Sequence, residues 1–140
     1  MKVLVVGATG FVGSQVAQAL SARGHQTRVL VRGGRAHPRG SQFEGRVEVV
    51  DGDLRRPETL ASARTGIEAV VCTATSMPQC HENGLLRVDH DGVASLVQAA
   101  EKAGAKKFVY TSYSGNIRYD SLLGTAKRSC ESLLLIARCG

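Results

Sequence analysis

Short runs of Val, Leu and Ile alternate along this chain with longer stretches in which apolar residues recur every three or four positions. The first pattern marks strands buried on both faces, the second marks amphipathic helices, and their alternation predicts a parallel sheet with helices packed on it. Lys2 to Val6 is the first predicted strand, and Phe11 to Arg23 a helix carrying Val12, Val16, Ala19 and Leu20 on one face, ended by Gly24. Thr27 to Val31 is the second strand, Arg32 to Gly45 a loop, and Val47 to Val50 the third strand. A short helix follows around Pro57 to Arg64, with Pro57 in its first turn. Glu68 to Thr73 is the fourth strand and Met77 to Gly84 a loop. The second long helix, Leu85 to Ala103, places Val88, Gly92, Leu96 and Ala99 in one stripe before Gly104. Phe108 to Ser112 is the fifth strand, and Leu122 to Ala137 a last helix with Leu133, Leu134 and Ile136 as apolar surface. The reading is a single domain over 1–140 of the α/β, doubly wound Rossmann type. Its five strands are expected in the order 3-2-1-4-5 with helices on both faces, and a ligand crevice where the order reverses.

The candidate chemistry begins where the first strand meets the first helix. Gly7-Ala8-Thr9-Gly10-Phe11-Val12-Gly13 has the spacing G-x-x-G-x-x-G, and a glycine loop in that position is a phosphate site. A side chain at Gly10 would hold a pyrophosphate off the backbone N–H groups of the helix start, whereas Gly13 serves close packing of helix on sheet. No Lys-Ser or Lys-Thr pair follows the glycines, so a nucleotide-triphosphate loop is excluded. Arg32 stands 19 residues beyond Gly13, where NAD-type domains carry a carboxylate for the ribose hydroxyls. A guanidinium there attracts a 2′-phosphate instead, with Arg35 a second arm, so NADP(H) is expected over NAD(H), and FAD is disfavoured. In Asp51-Gly52-Asp53-Leu54, Asp53 can accept from the adenine amino group while Leu54 covers the ring, although capping the short helix is an equal use of the aspartate.

The net charge of +6 and pI near 9.5 raise the possibility of nucleic acid, but the charge is concentrated. Arg23, Arg28, Arg32, Arg35, Arg39 and Arg46 face Glu44 alone, interleaved with a single aromatic residue, Phe43. A basic segment beside a phosphate loop needs only a phosphorylated small ligand, and a nucleic-acid partner is not expected. Cys72, Cys80, Cys130 and Cys139 lack the paired spacing of a metal site, Cys80-His81 included, and are expected as free thiols. The apolar run Val3 to Val6 is too short for a signal core or a membrane span, which gives the expectation of a cytoplasmic protein without a membrane partner.

With those pieces placed, the sequence resembles the extended and atypical short-chain dehydrogenase/reductase superfamily, most closely its NmrA-like branch. The resemblance rests on Gly7 to Gly13, the Val-Leu-Val-Arg ending at Arg32, Asp51 to Leu54, and Val88-Asp89-His90-Asp91-Gly92. It rests also on Lys106-Lys107-Phe108-Val109-Tyr110-Thr111-Ser112, and on Ala126-Lys127 with Glu131. It implies cofactor contacts from Gly7, Thr9, Gly10, Phe11, Val12 and Gly13. It further implies backbone contacts from Thr73, Ala74 and Thr75 to the nicotinamide side, and a hydroxyl near Ser112 with Lys127 at the nicotinamide ribose.

Two departures stand out. Dehydrogenase members carry a tyrosine four residues before the lysine, where the ammonium lowers the phenol pKa on a shared helix face; here that position is Leu123. Tyr119, eight residues from Lys127, is the remaining candidate proton donor, and Tyr113 fares no better. Members also continue with further strands and a region that closes over substrate, so the sequence is expected to be a truncated product or a fragment. Three functions follow from the resemblance. The first is an NADP(H)-dependent oxidoreductase domain acting on a small-molecule substrate. The second is a non-catalytic NADP(H)-sensing regulator with a protein partner, which Leu123 favours. The third is an epimerase or isomerase, which ordinarily needs the missing tyrosine.

Overall fold

The computed structural model describes residues 1–43, 45, 47–76, 82–112 and 121–137. One sheet of five parallel strands runs β3-β2-β1-β4-β5, the order and fold class expected. Central β1 (Lys2–Val6) pairs with β2 (Gln26–Val31) and with β4 (Ala69–Cys72), setting Val5 opposite Val29 and Val71. β3 (Glu48–Asp51) and β5 (Lys107–Tyr110) lie outside them. Alternate residues of β1 feed two cores. Leu4 and Val6 join Leu30, Val70, Leu96 and Val97 on one face, while Val5 joins Val29, Val31, Ala17 and Phe43 on the other. Helix α1 (Phe11–Ala22) covers the second face; α2 (Leu60–Ala63), α4 (Asp91–Ala103) and α5 (Leu122–Ile136) cover the first.

Three details differ from the sequence reading. In α1 the buried stripe is Gly13 and Ala17 with Val16 and Leu20 half in, whereas Val12 is 53% exposed. The helix packs through its glycine, and that close approach turns Val12 outward. The second long helix begins earlier, as α3 (Glu82–Leu85), and passes through one π-helical turn, Leu86–His90, before α4. The buried face is Asp89, Gly92, Val93, Leu96, Val97 and Ala100, so the expected Gly92 and Leu96 point inward while the expected Val88 and Ala99 only pack beside them. In α5, which Ser121 caps by accepting from the Gly124 N–H at 3.0 Å, Ala126, Lys127 and Cys130 are buried and Leu133 and Leu134 pack on the core. Ile136 falls off that stripe and is 79% exposed, so it adds nothing to the core.

Candidate cofactor site

The glycine loop leaves β1 by a left-handed turn at Gly7, φ +89°. A Cβ there would lie 2.6 Å from the Ala74 nitrogen and 2.7 Å from Thr73 Oγ1, so only glycine lets the loop cross the end of β4. Gly10 donates its N–H to the Gly7 carbonyl at 3.0 Å and starts α1. A Cβ on Gly10 would meet only the Gly7 carbonyl at 3.2 Å, whereas one on Gly13 would collide with that carbonyl and lie 2.6 Å from Thr73 Oγ1. The two glycines therefore have different jobs: Gly13 holds helix to sheet, and Gly10 leaves open space in front of the helix. α1 has no side-chain cap and no acidic residue in its first turn. Its leading N–H groups and positive end are thus left to an anion. Phe11, 85% exposed, and Val12 stand beside them as apolar surface, and Thr9 is partly buried.

Arg32 and Arg35 are exposed in the segment that follows β2. That segment is folded on itself: the Gly33 N–H donates to Asp51 Oδ1 at 2.7 Å, and a Cβ on Gly40 would lie 3.0 Å from the Arg35 Cα and carbonyl oxygen. Arg39, which the sequence reading did not single out, donates from Nη1 to the Thr9 carbonyl at 2.7 Å and ties this segment to the glycine loop. Arg28, by contrast, is no part of the basic surface. It lies buried within β2 and donates to the carbonyls of Ala63 at 2.8 Å and Thr65 at 3.0 Å, and to Glu48 Oε1 at 2.8 Å.

Asp53 is buried, and its carboxylate is taken by Arg55, whose Nη2 stands 2.6 Å from Oδ2 and whose Nε and backbone N–H both reach Oδ1. The Arg55 hydrogen bonds hold the Asp53 carboxyl below its ordinary value, with a smaller contribution from the charge of Arg32. Leu54 is in the core, where a Cβ on Gly92 would lie 2.8 Å from Leu54 Cβ. The glycine lets the start of α4 close on this turn.

At the end of β4, Thr73 donates both its N–H, at 2.9 Å, and its hydroxyl, at 3.2 Å, to the Val6 carbonyl behind the glycine loop. Ala74 abuts Gly7, and Thr75 turns to Asp89. Asp89 is fully buried. Its Oδ1 accepts from Thr75 Oγ1 at 2.7 Å, and its Oδ2 accepts from the Ser76 N–H at 2.8 Å and the Ser76 hydroxyl at 2.7 Å. Lys127 Nζ stands 3.6 Å from Asp89 Oδ1 with a side chain 7% exposed. It donates to the Thr111 carbonyl at 3.1 Å, contacts the Tyr110 hydroxyl at 3.5 Å, and lies 4.9 Å from the Tyr110 ring centre. Burial raises the Tyr110 phenol and the Cys130 thiol above their ordinary values and pushes Cys72 up to about 12. Ser112 donates its hydroxyl to Glu131, which also receives Arg128 at 2.7 Å; the Ser112 bond first, then Arg128, holds the Glu131 carboxyl below its ordinary value.

The structure thus brings Thr75, Lys127 and Tyr110 around Asp89 and places Ser112 on Glu131. Leu123 is partly buried in α5. Tyr113, Tyr119, Cys80, His81 and Cys139 lie outside the described residues. Asp89, Arg39, Tyr110 and Glu131 had no assigned role in the sequence reading. For Asp89 a signal existed: it stands three and seven residues before Gly92 and Leu96, on the face that the helix buries. No cluster of His, Cys, Asp or Glu able to hold a metal is found among the described residues, and no described helix is long and apolar enough to cross a membrane.

Residues 7–130 match the family model described as NAD(P)H-binding. The chain belongs to that NAD(P)H-binding family. It is an NAD(P)-binding domain of the short-chain dehydrogenase/reductase-like kind, and its solved neighbours include members of that superfamily and an NAD-dependent epimerase/dehydratase. A short-chain dehydrogenase/reductase superfamily protein from Agrobacterium tumefaciens, with bound NAD, superposes with a TM-score of 0.79 at 26% identity, covering 96% of this chain and 44% of that one. The triphenylmethane reductase of Citrobacter sp., complexed with NADP(H), gives a TM-score of 0.74 at 28% identity, covering 95% of this chain and 45% of that one. In sequence, the photosystem II assembly factor Ycf39 of Trieres chinensis is 40% identical over 114 residues, covering 80% of this chain and 34% of the relative. The chain thus spans about a third of that relative's length.

Proposed function

We propose that this domain binds NADP(H) in preference to NAD(H) and serves as the cofactor-holding part of a reductase. The observation that carries the cofactor choice is the charge around the end of β2. Arg32 is exposed there, and the neighbouring carboxylates are both engaged, Asp51 by the Gly33 N–H and Asp53 by Arg55. A 2′-phosphate meets a guanidinium at the position where NAD-type domains carry a carboxylate for the ribose. The residues present fit a dinucleotide: Gly10 leaves a cradle that a Cβ would enter, before an uncapped helix start free of acidic side chains. Phe11, Val12 and Gly13 continue that cradle, Thr9 flanks it, and Arg35 adds positive charge. Asp53 and Leu54 shape the floor under the adenine rather than bonding it directly.

When bound, the nicotinamide supplies the hydride chemistry. The chain's part is to orient it. Thr73, Ala74 and Thr75 line the β4 side, and Lys127 with Ser112 stands at the nicotinamide ribose. A second reading, an NADP(H)-responsive regulator without turnover, is favoured by one observation. Lys127, preceded by Leu123 rather than a tyrosine four residues earlier, is buried against Asp89. The similarity to an assembly factor agrees with it. Parallel fluorescence titrations with NADPH and NADH test the cofactor choice, and a carbonyl and quinone panel separates reductase from regulator. Turnover near roughly 10 per second favours the former, and tight binding without turnover the latter.

A further inference from the structure

We propose that Arg39 is a positioning residue of the adenosine and pyrophosphate end: its guanidinium latches the turn after β2 onto the glycine loop and holds the two together before a ligand arrives. The inference deepens the cofactor reading and rests on it, since that reading makes the glycine loop and the end of β2 two walls of one site. The turn itself is a closed unit. Ala36 donates its N–H to the Gly33 carbonyl at 3.1 Å, Gly40 to the His37 carbonyl at 2.7 Å, and Arg39 to His37 Nδ1 at 3.1 Å. Gly40 is buried, and a Cβ on it would lie 2.7 Å from the Gly34 carbonyl oxygen, so the turn closes through bare backbone.

A closed turn still has to be placed. One end is fixed by the Gly33 N–H on Asp51 Oδ1 at the end of β3, and the other by Phe43, which is 2% exposed in the core under α1. Neither anchor touches the glycine loop by a hydrogen bond. Among the described residues, the bond that crosses to that loop is the one from Arg39 Nη1 to the Thr9 carbonyl at 2.7 Å, between positions 30 apart in sequence. Thr9 directly precedes Gly10, where α1 starts without a side-chain cap. An unmet carbonyl oxygen there would set negative charge beside the anion cradle. The guanidinium meets that oxygen and offsets its repulsion. A wall held in place beforehand also spares the ligand the entropy of ordering it. Both effects act on the half of the dinucleotide that NADPH and NADH share, so they raise the affinity for each alike and leave the choice between them to Arg32.

The test uses the full 140-residue chain and three probes: NADPH, NADH and ADP-ribose, which keeps the adenosine and pyrophosphate and lacks the nicotinamide. Arg39→Gln, too short to reach Thr9, is expected to weaken all three by a common factor of about five to ten. The NADH to NADPH ratio should stay within about twofold of wild type. Arg39→Lys, which still reaches the carbonyl with one N–H, should recover most of the loss. In the chain without ligand, hydrogen exchange at the Ala36 and Gly40 amides should quicken in Arg39→Gln, while the Gly52 amide, bonded to the Val31 carbonyl, keeps its wild-type rate. His37→Ala, a milder change that frees the Arg39 N–H, should weaken all three probes by a smaller factor and keeps the test decisive should Arg39→Gln misfold. A loss confined to NADPH would make Arg39 a direct ligand of the 2′-phosphate and overturn the positioning role. Unchanged binding of all three probes by Arg39→Gln and His37→Ala, or by His37→Ala alone where the other is unfolded, would overturn it too; either result leaves the cofactor reading standing. Wild-type chain that binds none of the three overturns the cofactor reading itself.

Discussion

Adding one methyl group at Gly13 should damage folding far more than adding it at Gly10, although both are glycines of the same loop. The Cβ of Gly13→Ala would overlap the Gly7 carbonyl and lie 2.6 Å from Thr73 Oγ1. Neither neighbour can yield cheaply. The Gly7 carbonyl already accepts the Gly10 N–H, and Thr73 is bonded twice to Val6 across β1 and β4. Relief requires moving α1 off the sheet, and overpacking of that kind costs about 1–3 kcal/mol; with backbone on one side and a pinned hydroxyl on the other, the upper end, about 3 kcal/mol, is expected. Gly10→Ala meets only one carbonyl, at 3.2 Å, in otherwise open space at the helix N-cap. There the exchange should cost well under about 1 kcal/mol. Urea denaturation followed by circular dichroism reads both. The midpoint for Gly13→Ala should fall by about 1–3 M if the slope is about 1–3 kcal/mol per molar, and that for Gly10→Ala should barely move. Gly10→Val should keep the fold and lose NADPH binding. Equal midpoints for wild type and Gly13→Ala would refute the packing argument, and tight NADPH binding by folded Gly10→Val would put the phosphate site elsewhere.

Cys72, buried with its thiol pushed up to about 12, should resist iodoacetamide at pH 8 in the folded chain and react only once urea unfolds it, as read by peptide mass spectrometry; rapid labelling without unfolding would contradict the burial. The Asp53 carboxyl is held below its ordinary value by Arg55, so the folded state binds fewer protons there than the unfolded state. Its contribution is therefore present above the ordinary aspartate value of 3.8 and is lost as pH falls through the lowered folded value. Asp53→Asn should flatten the acid limb of a pH series of urea midpoints, and an unchanged limb would show that the pair with Arg55 contributes nothing.

The strands were legible because a parallel sheet buried on both faces needs continuous apolar runs, and β1, β2 and β4 have them. The glycine loop was legible because backbone approach to an anion allows few other residues. Legibility failed where one local feature overrode the repeat. Val12 reads as core at helical spacing, but Gly13 draws the helix onto the sheet by its bare backbone and rotates Val12 outward. In α4 the stripe read through Gly92 and Leu96 was right, but Val93, Val97 and Ala100 share the buried face where Val88 and Ala99 were expected. Arg28 reads as one more basic residue of an arginine-rich segment, yet it sits within β2 between Thr27 and Val29 and binds the carbonyls at the end of α2. Asp89 was legible as buried from its spacing to Gly92 and Leu96, but its partners were not. In Val88-Asp89-His90-Asp91 the spacing marks which acid is buried, and only tertiary contact shows that it meets Thr75, Ser76 and Lys127.

The central claim, that the charge at the end of β2 selects the phosphorylated cofactor, is tested most directly by the ratio of NADH to NADPH dissociation constants in wild type, Arg32→Ala and Arg32→Asp. One guanidinium on a phosphate is worth roughly 1.5–3 kcal/mol. Wild type should therefore favour NADPH by roughly ten- to hundredfold. Arg32→Ala should bring the ratio close to one, and Arg32→Asp should invert it. Equal binding of both cofactors by wild type, or a ratio unchanged in Arg32→Ala, would contradict the account.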